Sequence, residues 1–118
     1  MGPMGRIRTL NLEQGFPTRD EARLRLESAI AQAKKDGVPA LKIIHGYGSS
    51  GKGGVLRFAL RSYLRQMKDR GEIALFVNGE SFSQFEERSR ELLRRQPDLL
   101  VDQDLGSGNK GVTLVLIK

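Results

Sequence analysis

The chain has no cysteine, no tryptophan and a single histidine in 118 residues. Without thiolates there are no disulfides, no cysteine-ligated zinc or iron–sulfur centres and no cysteine nucleophile. One imidazole excludes any site built from several. No apolar run approaches the roughly 20 residues needed to cross a bilayer, so no membrane partner is expected. No leader pattern opens the chain, and a cytoplasmic location is the expectation. Aromatic residues make up 6% of the chain. That scarcity argues against a single-strand platform, which needs exposed rings to stack on bases. A chain of this length makes one domain, able to bury roughly two-thirds of the surface its unfolded form exposes. Residues 1–5, Met1-Gly2-Pro3-Met4-Gly5, are set apart as a disordered N-terminus or cloning scar, leaving 6–118 as the domain.

What the chain does have is positive charge: 20 Lys and Arg against 14 Asp and Glu, a net +6. Such a surface attracts phosphate polymers or acidic partners. Residues 6–13 alternate apolar and polar side chains and read as a strand. Thr18-Arg19-Asp20-Glu21 fits a capping box, and Ala22, Leu26, Ala29, Ile30 and Ala33 follow at helical spacing up to Gly37. Ala40 to Ile44 is a buried strand with His45 at its tip. A glycine-rich loop follows, then a second helix marked by Val55, Leu56, Ala59, Leu60, Tyr63, Leu64 and Met67 and ended by Gly71. Residues 72–78 form a third strand. A third helix is expected from about Ser81 to Pro97, with Phe82 and Phe85 turned to the core. Leu99 to Val101 reads as a short strand, 102–110 as a mobile loop, and Val112 to Ile117 as the last buried strand. Alternating strands and helices imply an α/β layer structure with partly parallel pairing. If the first two strands are neighbours, Glu13 and His45 end on one sheet edge, where open α/β sheets bind ligands.

Three motifs compete for the loop from His45 to Gly54. Gly46-x-Gly48-x-x-Gly51 matches a dinucleotide fingerprint. That motif belongs in the first βαβ unit, however, and the next strand ends in Asn78 rather than an acid for a ribose. Gly46 to Lys52 matches a P-loop except that Gly53 replaces the magnesium-binding hydroxyl, and Asp102 imitates its metal-holding acid. The domain is small for a nucleotidase sheet. The third reading is a phosphate-backbone cradle. Glycines admit a phosphate to the main chain, helix-start amides carry partial positive charge, Lys52 adds a full one, and His45 can shuttle a proton. A tight strand-to-helix turn with a structural histidine explains the same spacing, and spacing alone leaves these last two level.

The stretch Ile43-Ile44-His45-Gly46-Tyr47-Gly48-Ser49, continuing to Gly54-Val55-Leu56-Arg57, resembles the Smr (small MutS-related) domain, whose hallmark is His-Gly-x-Gly after an apolar strand. Upstream, Leu10-Asn11-Leu12-Glu13-Gln14-Gly15 followed by Glu21-Ala22 is similar to the family's Leu-Asp-Leu-His-Gly opening. Downstream, Gly108 to Leu116 resembles its Gly-rich closing strand. The resemblance implies a single-domain two-layer α/β sandwich, with a mixed four- to five-stranded sheet packed with two to three helices. It is similar to the C-terminal domain of translation initiation factor three. It also implies DNA or RNA binding and, in several members, nicking endonuclease activity. Asn11 stands where the family has Asp, Glu13 where it has His, and Gln14 is an extra residue. Glu13 would then orient His45 or act as base; alternatively, only binding remains.

The candidate site is therefore His45 and Glu13 for catalysis, with Gly46, Tyr47, Gly48, Ser49, Lys52, Arg57, Arg61, Arg65 and Lys110 for nucleic acid. Arg57, Arg61, Arg65 and Lys68 recur at i+4 or i+3 and make a basic ridge on the second helix. Arg88, Arg94 and Arg95 are expected as solvated groups paired with Glu86, Glu87 or Glu91. No metal site is assigned. Magnesium or manganese is left open, with Glu13, Asp102 and Asp104 as the carboxylates able to recruit it. Recognition is expected through backbone and shape, and an acidic protein partner is the alternative occupant.

Overall fold

The structure is a computed structural model and describes residues 7–15, 17–46 and 53–118. Four strands form one mixed sheet: β1 (Ile7–Asn11), β2 (Ala40–Ile44), β3 (Ile73–Asn78) and β4 (Val112–Ile117), in the order β1-β2-β4-β3. β1 runs parallel to β2, with Asn11 opposite Ile44, while β4 is antiparallel to both β2 and β3. The parallel pair is joined by α1 (Arg19–Asp36), and β2 leads through the glycine loop into α2 (Gly53–Asp69). β4 lies in the middle because it is buried along its whole length, as an apolar run must be when both its faces are covered.

α1 starts where its capping box predicts. Thr18 Oγ1 accepts from the Glu21 amide at 3.1 Å, and the Glu21 carboxylate accepts from the Thr18 amide at 2.8 Å. Gly37 closes the helix at φ +71°, a conformation that suits glycine. The buried face of α1 (Ala22, Leu26, Ile30, Ala33) joins Leu56, Leu60, Leu64 and Met67 of α2 over Leu41, Ile43 and Val115 of the sheet. The opposite sheet face has its own core. There Phe82, Leu92, Leu93 and Leu99 cover Leu75, Val77, Leu114 and Leu116.

The segment between β3 and β4 departs from the sequence expectation in three ways. The third helix, α3, spans only Glu87–Arg95. The Ser83 hydroxyl accepts from the Phe85 amide at 3.1 Å, a local turn that competes with helix. Glu86 provides the cap instead, accepting from the Ser89 amide at 2.7 Å. Phe85 thus falls ahead of the helix and is 91% exposed, whereas Phe82 is buried as expected. Second, Leu99 to Val101 belongs to a 3-10 turn, Pro97–Val101, not a fifth strand. Pro97 presets its first φ, the Leu99 and Asp102 amides bond back to Gln96 and Leu99, and only Leu99 is buried. Third, residues 102–110 are tied down. Asp102 accepts from the Asp104 amide, Asp104 from Asn109 Nδ2, and Asn109 from the Gly111 amide, each within 2.9 Å.

Candidate functional site

β1 and β2 end side by side, so Glu13 and His45 do share one sheet edge. The Leu12 amide still bonds the Ile44 carbonyl at 2.7 Å, after which the two chains leave the sheet. The amides of His45 and Gly46 both bond the Gly111 carbonyl, at 2.9 and 3.1 Å. This draws the start of the closing strand, and the exposed Lys110 beside it, to the same edge. Asn11 shapes the other side: its Oδ1 accepts from the Glu13 amide at 2.8 Å. Arg25 of α1 donates to the carbonyls of Asn11 and Gln14 at 2.8 and 3.2 Å, holding the segment that carries Glu13.

His45 is not on the surface of this edge. The residue is 1% exposed, and both ring nitrogens are engaged. Nδ1 lies 2.7 Å from the Gly46 carbonyl and Nε2 lies 2.9 Å from Thr113 Oγ1. A carbonyl can only accept, so Nδ1 carries the proton, and Nε2 accepts from the threonine hydroxyl. The Thr113 oxygen in turn accepts from Arg61 Nε at 3.4 Å. Arg61 closes the chain with two bonds to the Glu80 carboxylate, at 2.8 and 2.7 Å. Every step of this relay fits a neutral imidazole. Burial is the main reason the ring resists protonation. The Gly46 carbonyl opposes that effect, the charges of Arg61 and Arg57 reinforce it, and the pKa falls to about 4.

Glu13 does not orient the histidine. Neither ring nitrogen bonds it, and its carboxylate is exposed beside Gly46 instead. Gly46 has φ +76°, and a Cβ there would stand 2.8 Å from Glu13 Oε2, so glycine serves both the backbone turn and the carboxylate. The basic ridge is also reorganised. Arg61 turns inward to Glu80 and is buried, Arg57 is half-buried, and Arg65 and Lys68 are exposed. On α3 the arginines are paired as expected, Arg94 and Arg95 both with Glu91 and Arg88 with Glu86. Tyr47, Gly48, Ser49 and Lys52 lie outside the described residues.

The carboxylates do not assemble a metal site. Asp102 and Asp104 both bind Lys42 Nζ, Asp102 at 2.8 Å, on the sheet face opposite His45. Burial works against ionisation of Asp104 and of Glu80, but Lys42 and Arg61 outweigh it and hold both carboxyls below their ordinary range. Among the described residues no three His, Cys, Asp or Glu side chains group as metal ligands. Sequence reasoning missed Thr113, Glu80 and Arg25. Thr113 left a trace, as the only polar residue between Val112 and Ile117.

The model of the Smr domain family matches residues 14–81. Among solved structures, the chain is similar to the crystal structure of the Smr domain of Thermus thermophilus MutS2. The two are 25% identical, with a TM-score of 0.59 over 94% of this chain and 98% of that one. No curated protein matches the chain.

Proposed function

The chain belongs to the Smr domain family, and from that premise we propose that it binds nucleic acid along α2 and the edge where β1 and β2 end. One observation carries the reading. α2 has Arg57, Arg61, Arg65 and Lys68 and no acidic residue before Asp69. A helix N-terminus favours nearby acids, so an acid-free first turn keeps this end open to anions. Arg61 spends its charge on Glu80, which leaves Arg57, Arg65, Lys68 and Lys110 to meet phosphates. Tyr47, Gly48, Ser49 and Lys52 join them on the loop motif alone. Recognition is of backbone and shape. His45 acts here as a neutral post: it fixes the Gly46 carbonyl and the Thr113 hydroxyl, and the loop departs from it.

The test is fluorescence anisotropy with a DNA duplex and an RNA hairpin across a salt series. Arg65→Glu and Lys68→Glu each remove one cation from the phosphate track, and each should flatten the salt slope by about one. Unchanged affinity and slope would defeat the proposal. Binding of an acidic protein that neither nucleic acid displaces would favour the alternative partner.

A second reading, nicking of a phosphodiester at the same edge, is favoured by the exposed Glu13 carboxylate beside Gly46. Glu13 would be the base, and His45 its neighbour in position only. Supercoiled plasmid relaxed by the wild type but not by Glu13→Gln supports this; equal cutting by both removes Glu13 from the chemistry.

A further inference from the structure

Low aromatic content argues against a stacking platform of several rings, but it leaves room for one. Phe58, in the first turns of α2, is 64% exposed. The Arg57 guanidinium sits 4.5 Å from the centre of its ring. Arg57 Nε is itself buried with no hydrogen-bond partner among the described residues. Helical spacing puts Val55, Phe58, Ser62 and Arg65 on one stripe, at i, i+3, i+7 and i+10. All four are exposed. The stripe thus begins apolar and ends cationic, and α2 carries no acid along it before Asp69.

A phosphate backbone explains the cations on this stripe but not the ring. An exposed phenylalanine gains nothing from a phosphate. It gains from a flat apolar face brought in by a polyanion, and a nucleobase is such a face. In a duplex each base is already stacked on both sides, so only an unstacked base can lie on the ring. Arg65, seven residues on, is about 10 Å along the helix from Phe58, within reach of a phosphate flanking that base.

We propose that Phe58 is a stacking subsite for an unpaired nucleobase, with Arg57 against its ring and Arg65 on a neighbouring phosphate. This rests on the nucleic-acid reading above and adds a substrate class to it: strands with unstacked bases, in single-stranded segments, loops or bulges.

The probes are a DNA hairpin with 2-aminopurine in its loop and a fully paired duplex with 2-aminopurine at an internal position. The wild type should change the 2-aminopurine emission of the loop and not that of the duplex. Phe58→Ala should weaken hairpin binding by about 5- to 150-fold, the range set by removal of one base–aromatic stack, and leave duplex binding unchanged. Phe58→Trp should restore the hairpin affinity. Because Phe58 is exposed, the fold survives these substitutions, which circular dichroism checks. If Phe58→Ala weakens both probes equally, or neither, the subsite is refuted while backbone binding stands. If the wild type binds neither probe, both readings fall.

Discussion

The chain should lose stability between pH 7 and pH 5, and the loss should trace to one residue. His45 is the only histidine, and its pKa is pushed from 6.5 down to about 4 in the folded chain. Between these values the unfolded chain takes up a proton that the folded one refuses. The stabilisation from the neutral buried ring is therefore complete above pH 6.5 and drains away as the pH falls toward 4. Each pKa unit corresponds to about 1.4 kcal/mol, so linkage gives a loss of about 2 kcal/mol from pH 7 to pH 5 and about 3 kcal/mol by pH 4. Carboxyls such as those of Glu80 and Asp104 lie below their ordinary range. Their stabilisation starts to drain only below about pH 5, which leaves the window from pH 7 to pH 5 to the histidine.

Urea unfolding of the wild type and of His45→Asn, each at pH 7 and pH 5, measures the difference. The wild type should lose about 2 kcal/mol more than the variant across that interval. The Cε1 proton signal, free of overlap from any other histidine, should titrate with a midpoint near 4. A midpoint near 6.5, or equal losses in the two proteins, would show that the ring is open to water. The relay through Thr113 and Arg61 would then be wrong.

Three further substitutions probe the packing and bonding around this edge. Thr113→Val keeps the shape but leaves His45 Nε2 without a donor and Arg61 Nε without an acceptor; it should cost about 1–3 kcal/mol and raise the His45 midpoint in the same NMR titration. Gly79→Ala drives a Cβ into the Asn109 carbonyl and to 2.7 Å from that of Val112. Backbone on both counts leaves little to yield, so a loss of about 3 kcal/mol is expected in urea unfolding, and unaltered stability would mean the 109–112 segment can withdraw. Lys42→Met strands two partly buried carboxylates and should cost about 3–5 kcal/mol, with recovery on adding Asp102→Asn and Asp104→Asn. Failure of that triple variant to recover would show that the lysine acts by packing rather than by charge.

Local chemistry was readable where one segment decides its own fate. Thr18, Glu21 and Gly37 bound α1 through hydrogen bonds between near neighbours in the chain, and the short apolar runs at Ala40–Ile44 and Val112–Ile117 favoured buried strands, as found. The region from Ser81 to Val101 was harder because Ser83 and Glu86 offer rival hydrogen bonds to the same helix start. At the site, spacing put Arg61 on an exposed ridge, but its partner Glu80 comes from the far side of β3. The partner of His45 is 68 residues away. No local pattern encodes either distance. The clue in the sequence is a misfit: Lys42 and Thr113 are lone polar residues in otherwise apolar strands, and each proves to anchor a buried polar network.

Those two networks also decide what the net charge can do. Lys42 with its two aspartates, and Arg61 with Glu80, withdraw both signs of charge from solvent. The Lys42 set nets one negative charge and the Arg61 pair none, so the remaining side chains carry a surplus of seven. On α3 the arginines are matched by Glu86 and Glu91. On α2 no acid precedes Asp69, the last residue of the helix, so its four cations share a single carboxylate within the helix. Positive charge therefore runs along α2 from Arg57, near its acid-free start, to Arg65 and Lys68 toward its end. The neutral histidine fits the same logic. A ring charged at physiological pH would add a cation beside Arg57 and Arg61 in a buried place where it could not be paired. Kept neutral, it lets the edge hold its shape while the arginines and lysines at the surface carry all of the charge.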